Sequence, residues 1–165
     1  MDRTHSIDLL NVAVGDELRT VHQYMYFHFH LSDEGFKPLA ALFKRTAIEE
    51  MGHIEAFAER ILFLKGDVTM TPAGAVETIT EPEAMLLRAM AMEQGAIQMY
   101  NKSAVECGAH EDAASKQLFE RILGVEERHF DQFEKQHEHI NRFGLNYLAL
   151  QSFGEAEAEG GPAGA

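Results

Sequence analysis

Four glutamates interrupt four apolar helical seams in this sequence, and their spacing repeats. Apolar residues recur at helical intervals through four long segments, which predicts four amphipathic helices. Each seam contains one glutamate, and both pairs are 33 residues apart, since 50 − 17 = 33 and 126 − 93 = 33. These residues are Glu17, Glu50, Glu93 and Glu126. The chain is therefore predicted to contain two similar helical hairpins, each with two glutamates facing the interior.

The connections between the segments predict how the helices are arranged. Apolar residues recur at helical intervals over approximately residues 4–32, 38–65, 82–107 and 112–140. The first and last connections are short, whereas the segment "DVTMTPAGAVETITE" is long for a loop. Thr80 and Glu83 have the spacing of a capping box before the third helix. Helices about 40 Å long with these connections predict an all-α four-helix bundle with a long crossover between its second and third helices.

The C-terminal end of the chain has two parts. The apolar segment "LNYLALQSF" predicts a short fifth helix, which is too short to be stable without contacts to the bundle. The segment "GEAEAEGGPAGA" is polar and of low complexity, which predicts a flexible tail. We therefore predict one domain over residues 1–153 and a tail over residues 154–165.

Two of the four glutamates are followed by histidine in the same pattern. Glu50-x-x-His53 and Glu126-x-x-His129 each place a carboxylate and an imidazole on one face of a helix. One glutamate from each of two helices, with Glu-x-x-His from each of the other two, is the ligand pattern of di-iron and di-manganese bundles. The sequence therefore predicts a dinuclear metal site formed by Glu17, Glu50, His53, Glu93, Glu126 and His129.

The predicted charge of this cluster supports a site for two divalent cations. Carboxylates buried together in an apolar interior repel one another, and each costs several kcal/mol to desolvate. Without cations they would take up protons or destabilise the bundle. Two divalent ions balance four carboxylates, and the mixture of oxygen and imidazole ligands favours iron or manganese over calcium.

Other polar residues have less specific interpretations. A third Glu-x-x-His pattern, Glu134 to His137, lies off the seam and has no counterpart in the first hairpin, which favours a solvated surface. Other histidines, including His22, His28 and His30, are more typical of surface or hydrogen-bonded core groups. Tyrosine recurs seven residues after the lone glutamate of each hairpin, at Tyr24 and Tyr100. These two phenols either fill the core or act on the metal site through a hydrogen bond or electron transfer.

Met51 follows Glu50 by one residue and should therefore point about 100° away from the metal seam. It shares this outward face with Ile48, and Leu18, Val21 and Met25 form a matching apolar stripe on the first helix. A second apolar face on a helix of a bundle indicates a partner subunit. At a two-fold interface the same residue meets its own copy. Two methionine sulfurs could then hold a haem iron, although the spacing alone favours simple packing.

Composition limits the classes of partner and location. The formal net charge of −13 disfavours binding to nucleic acid and suits a protein that attracts cations. No apolar run has the length of a membrane span, and the N-terminus has no signal-peptide pattern. The single cysteine, Cys107, cannot form an internal disulfide and is expected to be buried. We therefore expect a cytoplasmic protein that binds neither membranes nor nucleic acid.

Several motifs occur in order over roughly residues 5–153. They are "GDELRTVHQY" around Glu17, "AIEEMGHIEAFAERILFLKG" around Glu50 and His53, "MEQGAIQMY" at Glu93, "EERHF" at Glu126, and "FGLNYLALQ" near the end. Together they resemble the bacterioferritin family. The ligands, the crossover and the terminal segment occur in the family's order. Mini-ferritins lack the fifth helix and form their metal site differently, so they are less similar.

This resemblance implies a ferritin-like fold and iron storage with ferroxidase activity. It implies a homo-oligomeric shell of 24 subunits, built from two-fold dimers, with the fifth helix lining a channel. Fe²⁺ would be oxidised by O₂ or H₂O₂, with two irons per subunit, and stored as ferric mineral. One iron would be held by Glu17 and His53 and the other by Glu93 and His129, with Glu50 and Glu126 bridging. The family also implies one haem per dimer, ligated by Met51 from both subunits, for electron entry during iron release.

The sequence also departs from the family and leaves other functions open. Some bacterioferritins have a further iron site on the inner wall, where this chain has Arg45 and Glu49. Because arginine repels Fe²⁺, we do not expect that site here. The alternative function is a discrete di-iron or di-manganese oxidase, peroxidase or catalase that does not store iron. A single cysteine excludes the rubredoxin module of rubrerythrin-like peroxidases, and a metal-free helical scaffold conflicts with the buried charge.

Overall fold

The computed structural model describes residues 3–159, which form five helices and no strand. All five helices occur where the sequence predicts them, and the four long ones lie within about three residues of the predicted bounds. The elements are α1 (Arg3–Asp33), α2 (Lys37–Phe63), α3 (Pro82–Ala109), α4 (Ala113–Phe143) and α5 (Asn146–Glu159). α1 packs mainly against α2, and α3 packs mainly against α4. The predicted pair of helical hairpins is confirmed.

The turns between the helices depend on local backbone geometry. Gly35 ends α1 with φ = +87°, a conformation that favours glycine, and the next amide, that of Phe36, donates to Leu31 O at 2.9 Å. Asp112 precedes α4, and its side chain accepts a hydrogen bond from the Ser115 amide. The capping box predicted at Thr80 is wrong. Glu81 is the N-cap residue, so Glu83 lies one position before the place that a capping box requires.

The long crossover between α2 and α3 lies along α1. Asn11 accepts a hydrogen bond from the Thr69 amide at 2.8 Å, and Gln23 accepts one from the Glu77 amide at 2.8 Å. Between them, the Ala73 amide donates to Gly15 O at 2.8 Å. A Cβ atom at Gly15 would lie 3.1 Å from the carbonyl oxygen of Thr71, so the close approach of the loop favours glycine there.

The interior of the bundle has two apolar clusters with a polar layer between them. One cluster includes Phe27, Phe43 and Phe133, and the other includes Phe57 and Phe119. The predicted metal-site residues lie between the clusters along the helix axes. Cys107 is fully buried in the second cluster, as expected for a small apolar side chain.

α5 contacts α2 and α4 at one end of the bundle. Leu148 is buried there, and the Tyr147 hydroxyl forms a hydrogen bond with His139 Nδ1 at 2.9 Å. Residues 154–159, which the sequence assigns to a flexible tail, continue α5 in the structure. Residues 160–165 lie outside the described part of the chain, so the domain boundary at 153 stays a prediction. Among the described residues, no helix is both long and apolar enough to cross a membrane.

Candidate metal centre

Six polar side chains from all four long helices meet in the middle of the bundle. α1 and α3 each supply one glutamate, and α2 and α4 each supply a glutamate and a histidine one turn later. Their exposed fractions lie between 0% and 7%, although all six carry ionisable groups. They are Glu17, Glu50, His53, Glu93, Glu126 and His129. The structure therefore brings together every residue that the sequence predicts for the metal site.

These six residues form two overlapping groups. Glu17 and His53 form one group with Glu50 and Glu126, and Glu93 and His129 form the other with the same two carboxylates. In each group, one ligand atom per residue lies within 4.8 Å of the others, which is close enough for all four to contact one ion. Two residues are shared, so two neighbouring ions could use the same carboxylates.

The contacts of His53 show how strongly the ligand atoms converge. Its Nδ1 atom lies 2.7 Å from Glu50 Oε2, 2.9 Å from Glu126 Oε1 and 3.2 Å from Glu17 Oε1. One N–H group can donate a well-aligned hydrogen bond to only one of these oxygens. Three carboxylates around a single nitrogen are better explained as ligands for a common cation.

Several ligand atoms have no hydrogen-bond partner despite being buried. They are both carboxylate oxygens of Glu50, Glu93 Oε2, Glu126 Oε1 and His129 Nδ1. An unpaired buried polar atom costs about 1–3 kcal/mol, and more when the group is charged. The unpaired atoms are oxygens and imidazole nitrogen, the donor set that suits iron or manganese. The residues present therefore fit a pair of such ions.

The pKa values show the electrostatic cost of leaving the centre without cations. Burial, with repulsion from neighbouring carboxylates, raises the pKa of Glu17 and Glu93 well above its usual value. Burial alone would lower the pKa of His53, but the carboxylates of Glu126, Glu17 and Glu50 close to its Nδ1 raise it to about 12. The pKa of His129 is raised in the same way. Burial acts to raise the pKa of Glu126, but its close contacts with the imidazoles of His129 and His53 lower it to about 2. The metal-free centre thus holds protons where cations would bind.

Two tyrosines contact this centre from opposite hairpins. The Tyr24 hydroxyl on α1 donates to Glu93 Oε1 on α3, and the Tyr100 hydroxyl on α3 donates to Glu17 Oε1 on α1 at 2.6 Å. Burial and the neighbouring carboxylates raise the pKa of both phenols, so they remain donors. Both rings are also fully buried in the two apolar clusters, so each tyrosine fills the core and donates a hydrogen bond to a candidate ligand residue.

Most of the chain is similar to known proteins. The family model of the ferritin-like domain matches residues 7–143. A bacterioferritin from Desulfovibrio desulfuricans is 37% identical over 143 residues, which are 87% of this chain and 80% of that protein. A bacterioferritin from Rhodobacter capsulatus is 32% identical over 87% of this chain and 89% of its own length.

The chain belongs to the bacterioferritin family. The crystal structure of the D. desulfuricans bacterioferritin superimposes with a TM-score of 0.87 and 36% sequence identity. The superposition covers 89% of this chain and 86% of that one. That protein contains a di-iron site, which was observed in different catalytic states. The predicted fold, a ferritin-like four-helix bundle with a long crossover and a short fifth helix, is confirmed.

One contact at the centre of this bacterioferritin-family chain was not expected from its sequence. His129 Nε2 lies 3.1 Å from Glu49 Oε2, and the same oxygen accepts a hydrogen bond from Arg128 Nη2 at 2.5 Å. Glu49 is 79 residues from Arg128, so only the tertiary structure shows that they meet. A basic residue beside a ligand in "EERHF" is a weak signal, because exposed helix positions are commonly charged.

Other sequence candidates lie outside the centre. Glu134 and His137 are not part of either ligand group, and His137 instead lies 3.4 Å from Glu83. His28 forms a hydrogen bond with the Ala40 carbonyl, as expected for a satisfied histidine. Arg45 is exposed on α2, one turn before Glu49. The Glu49 carboxylate contacts Arg128 and His129.

Met51 lies on the outer face of α2, away from the ligand groups. Its side chain and that of Ile48 are 49% and 51% exposed, respectively. Leu18, Val21 and Met25 on α1 are only partly buried. The outward apolar surface that the sequence predicts is therefore present in the subunit.

Proposed function

We propose that this chain is a ferroxidase and iron-storage subunit whose substrate is Fe²⁺. The observation that supports this proposal is the pair of overlapping ligand groups, which share Glu50 and Glu126 in the dry interior of the bundle. Glu17 and His53 hold one Fe²⁺ ion, and Glu93 and His129 hold the other. Glu50 and Glu126 bridge the two ions.

Because both ligand groups share Glu50 and Glu126, the two Fe²⁺ ions would lie next to each other and could give up their electrons to the same oxidant molecule. Two adjacent Fe²⁺ ions together supply two electrons, which is what the reduction of H₂O₂ and two H⁺ to two H₂O requires. The reduction of O₂ and two H⁺ to H₂O₂ requires the same number. Carboxylate ligands stabilise the Fe³⁺ products because the hard, more highly charged ion favours anionic oxygen. Tyr24 and Tyr100 hold Glu93 and Glu17, respectively, in position by hydrogen bonds.

Storage requires assembly, and the subunit surface supports it. Several large apolar side chains project into solvent, including Phe63 at 69% and Val105 at 71% exposure. Exposed apolar surface of this kind is typical of sites for protein contacts. We propose a homo-oligomer of 24 subunits built from two-fold dimers, with ferric mineral in its cavity. The single buried cysteine is consistent with a cytoplasmic location.

We further propose that one haem binds at each dimer interface. Met51 is the ligand from both subunits, and the exposed Ile48 beside it contributes to the apolar walls. When bound there, haem supplies a redox group that carries electrons for iron release. The chain itself provides a soft sulfur ligand and an apolar surface that excludes water.

Iron loading of purified protein tests the ferroxidase proposal. Two Fe²⁺ ions per subunit should bind anaerobically, and exposure to O₂ or H₂O₂ should oxidise them quickly. Glu126→Ala should lose this rapid phase. Glu134→Ala is the matched control: Glu134 also belongs to a Glu-x-x-His pattern on α4, but it is in neither ligand group, so this variant should retain the rapid phase. Rapid oxidation by the Glu126→Ala variant would contradict the assignment.

The assembly and its metal content distinguish storage from the alternative. A store should have a mass of hundreds of kilodaltons by size-exclusion chromatography and should retain far more than two irons per subunit. A small oligomer that keeps two metal ions and forms no mineral would instead indicate a discrete oxidase, peroxidase or catalase.

A further inference from the structure

The two hairpins supply equivalent metal ligands but differ beside their histidines. Glu50 and His53 correspond to Glu126 and His129 with a shift of 76 residues, since 126 − 50 = 76 and 129 − 53 = 76. With the same shift, Glu49 corresponds to Val125, and Arg128 corresponds to Gly52. The second histidine therefore has a carboxylate and a guanidinium beside it, and the first has no equivalent pair.

The structure shows that this difference changes the contacts of the two imidazoles. His129 Nδ1 faces the centre, 3.0 Å from Glu50 Oε1, while its Nε2 lies 3.1 Å from Glu49 Oε2. His53 Nδ1 also faces the centre. Among the described residues, every carboxylate contact of His53 is made through Nδ1. His129 thus has a carboxylate close to each ring nitrogen, whereas His53 has carboxylates close to Nδ1.

The contact with Glu49 determines which proton His129 keeps when a cation replaces the other. An ionised carboxylate can only accept, so the proton stays on Nε2 and the lone pair of Nδ1 is free for the metal. A carboxylate in this role orients the ring and makes the imidazole a stronger ligand. Arg128 donates to the same carboxylate oxygen, which restrains Glu49 on the surface of the bundle.

We propose that Glu49, held by Arg128, positions His129 so that the metal on the Glu93–His129 side is retained while the metal on the Glu17–His53 side exchanges. This proposal rests on the proposed two-metal function and assigns different lifetimes to its two positions. Glu49 is a positioning residue, because it acts through His129. The site nearer His53 would release its ion first, and the other ion would remain in place.

The same geometry allows the proposal to be tested without disrupting the fold. The side chains of Glu49 and Arg128 are 45% and 52% exposed, respectively. An ion pair this accessible contributes little to folding stability. Removal of either side chain should therefore change metal retention while leaving the melting temperature of the metal-free protein nearly unchanged.

Release of Co²⁺ measures the two lifetimes directly. Protein loaded with two Co²⁺ per subunit is mixed with excess EDTA, and the visible Co²⁺ absorption is followed with time. The wild type should show two phases of equal amplitude. Glu49→Ala and Arg128→Ala should each accelerate the slow phase about 10-fold and leave the fast phase unchanged. A factor of about 10 is the lower end of the loss of metal affinity that follows removal of a group hydrogen-bonded to a metal ligand.

Two controls separate hydrogen bonding from charge. Glu127→Ala removes a neighbouring exposed carboxylate from α4 and should leave both phases unchanged. Glu49→Gln keeps an oxygen that can accept from Nε2, so it should preserve more of the slow phase than Glu49→Ala. Equal acceleration by Glu49→Gln, Glu49→Ala and Glu127→Ala would show a general charge effect and overturn the proposal.

The reciprocal change tests the proposal by gain of function. Gly52→Arg with Val125→Glu places the missing pair beside His53, and a Cβ atom at Gly52 would meet no other atom within 4 Å. This double variant should slow the fast phase. A single wild-type phase with two bound Co²⁺ would overturn the proposed difference but not the two-metal function. Failure to bind two Co²⁺ would overturn the two-metal function itself.

Discussion

Binding of divalent metal should release protons from the centre, because the metal-free ligands hold them. The pKa of His53 is raised to about 12 and that of His129 is also raised, so both imidazoles are charged at neutral pH. Each must lose one proton to bind a cation through Nδ1. Glu17 and Glu93, whose pKa is raised well above the usual value, add up to one proton each. Loading should therefore release about two to four protons per subunit.

This release sets the pH dependence of affinity. Each released proton makes binding more favourable by about 1.4 kcal/mol for each unit of pH increase. Two to four protons correspond to about 2.7–5.5 kcal/mol per pH unit for loading both positions. The sign follows from the raised pKa values, since the protonated ligands compete with the cation and this competition weakens as pH rises.

Titration with Zn²⁺, which has no redox chemistry, in weakly buffered solution with a pH indicator measures the release. Glu17→Gln removes one group that can bind a proton, so it should reduce the release by up to one proton per subunit. Glu134→Gln, outside the centre, should leave it unchanged. Release of less than one proton per subunit at full loading would refute the inference that the metal-free centre stores protons.

Three further predictions concern stability and haem. Without metal, the melting temperature should fall as pH rises from 7 to 10. The raised pKa of His53 contributes stability that is fully present below pH 6.5 and is lost progressively as pH rises toward the folded-state pKa of about 12. A constant melting temperature would contradict this. Phe133→Ala should lower the free energy of unfolding by about 3–5 kcal/mol in urea, because this fully buried ring lies between Tyr24 and Phe43. Met51→Ala should abolish haem absorption yet change the free energy of unfolding by less than about 0.5 kcal/mol, because Met51 is half-exposed; retained haem would exclude Met51 as its ligand.

Most of the fold could be predicted from the sequence because the signals are local and repeated. Helical periodicity, the glycine that ends α1 and the Asp112 cap each depend on neighbouring residues. The clustering of the six ionisable side chains could be predicted because buried charge in an apolar seam requires a partner, and the same spacing occurs in both hairpins. Their role as metal ligands stays a prediction. The capping box at Thr80 failed because its pattern does not specify which residue begins the helix.

The difference between the two histidines could not be predicted, because it depends on contacts between distant residues. Glu49 and Arg128 each look like ordinary surface residues in the sequence. Only the packing of α2 against α4 brings Arg128 and His129 to the same carboxylate oxygen of Glu49. The hydrogen bonds of Tyr24 and Tyr100 also cross between hairpins, so the sequence left two interpretations of each open.

Anomalous diffraction from crystals loaded anaerobically with Fe²⁺ tests the central claim most directly. Two iron peaks per subunit should lie between the apolar clusters, with Glu50 and Glu126 contacting both and one histidine contacting each. An absence of peaks at that position under saturating Fe²⁺, or carboxylates turned away from one another toward solvent, would contradict the assignment of this cluster as a di-iron centre.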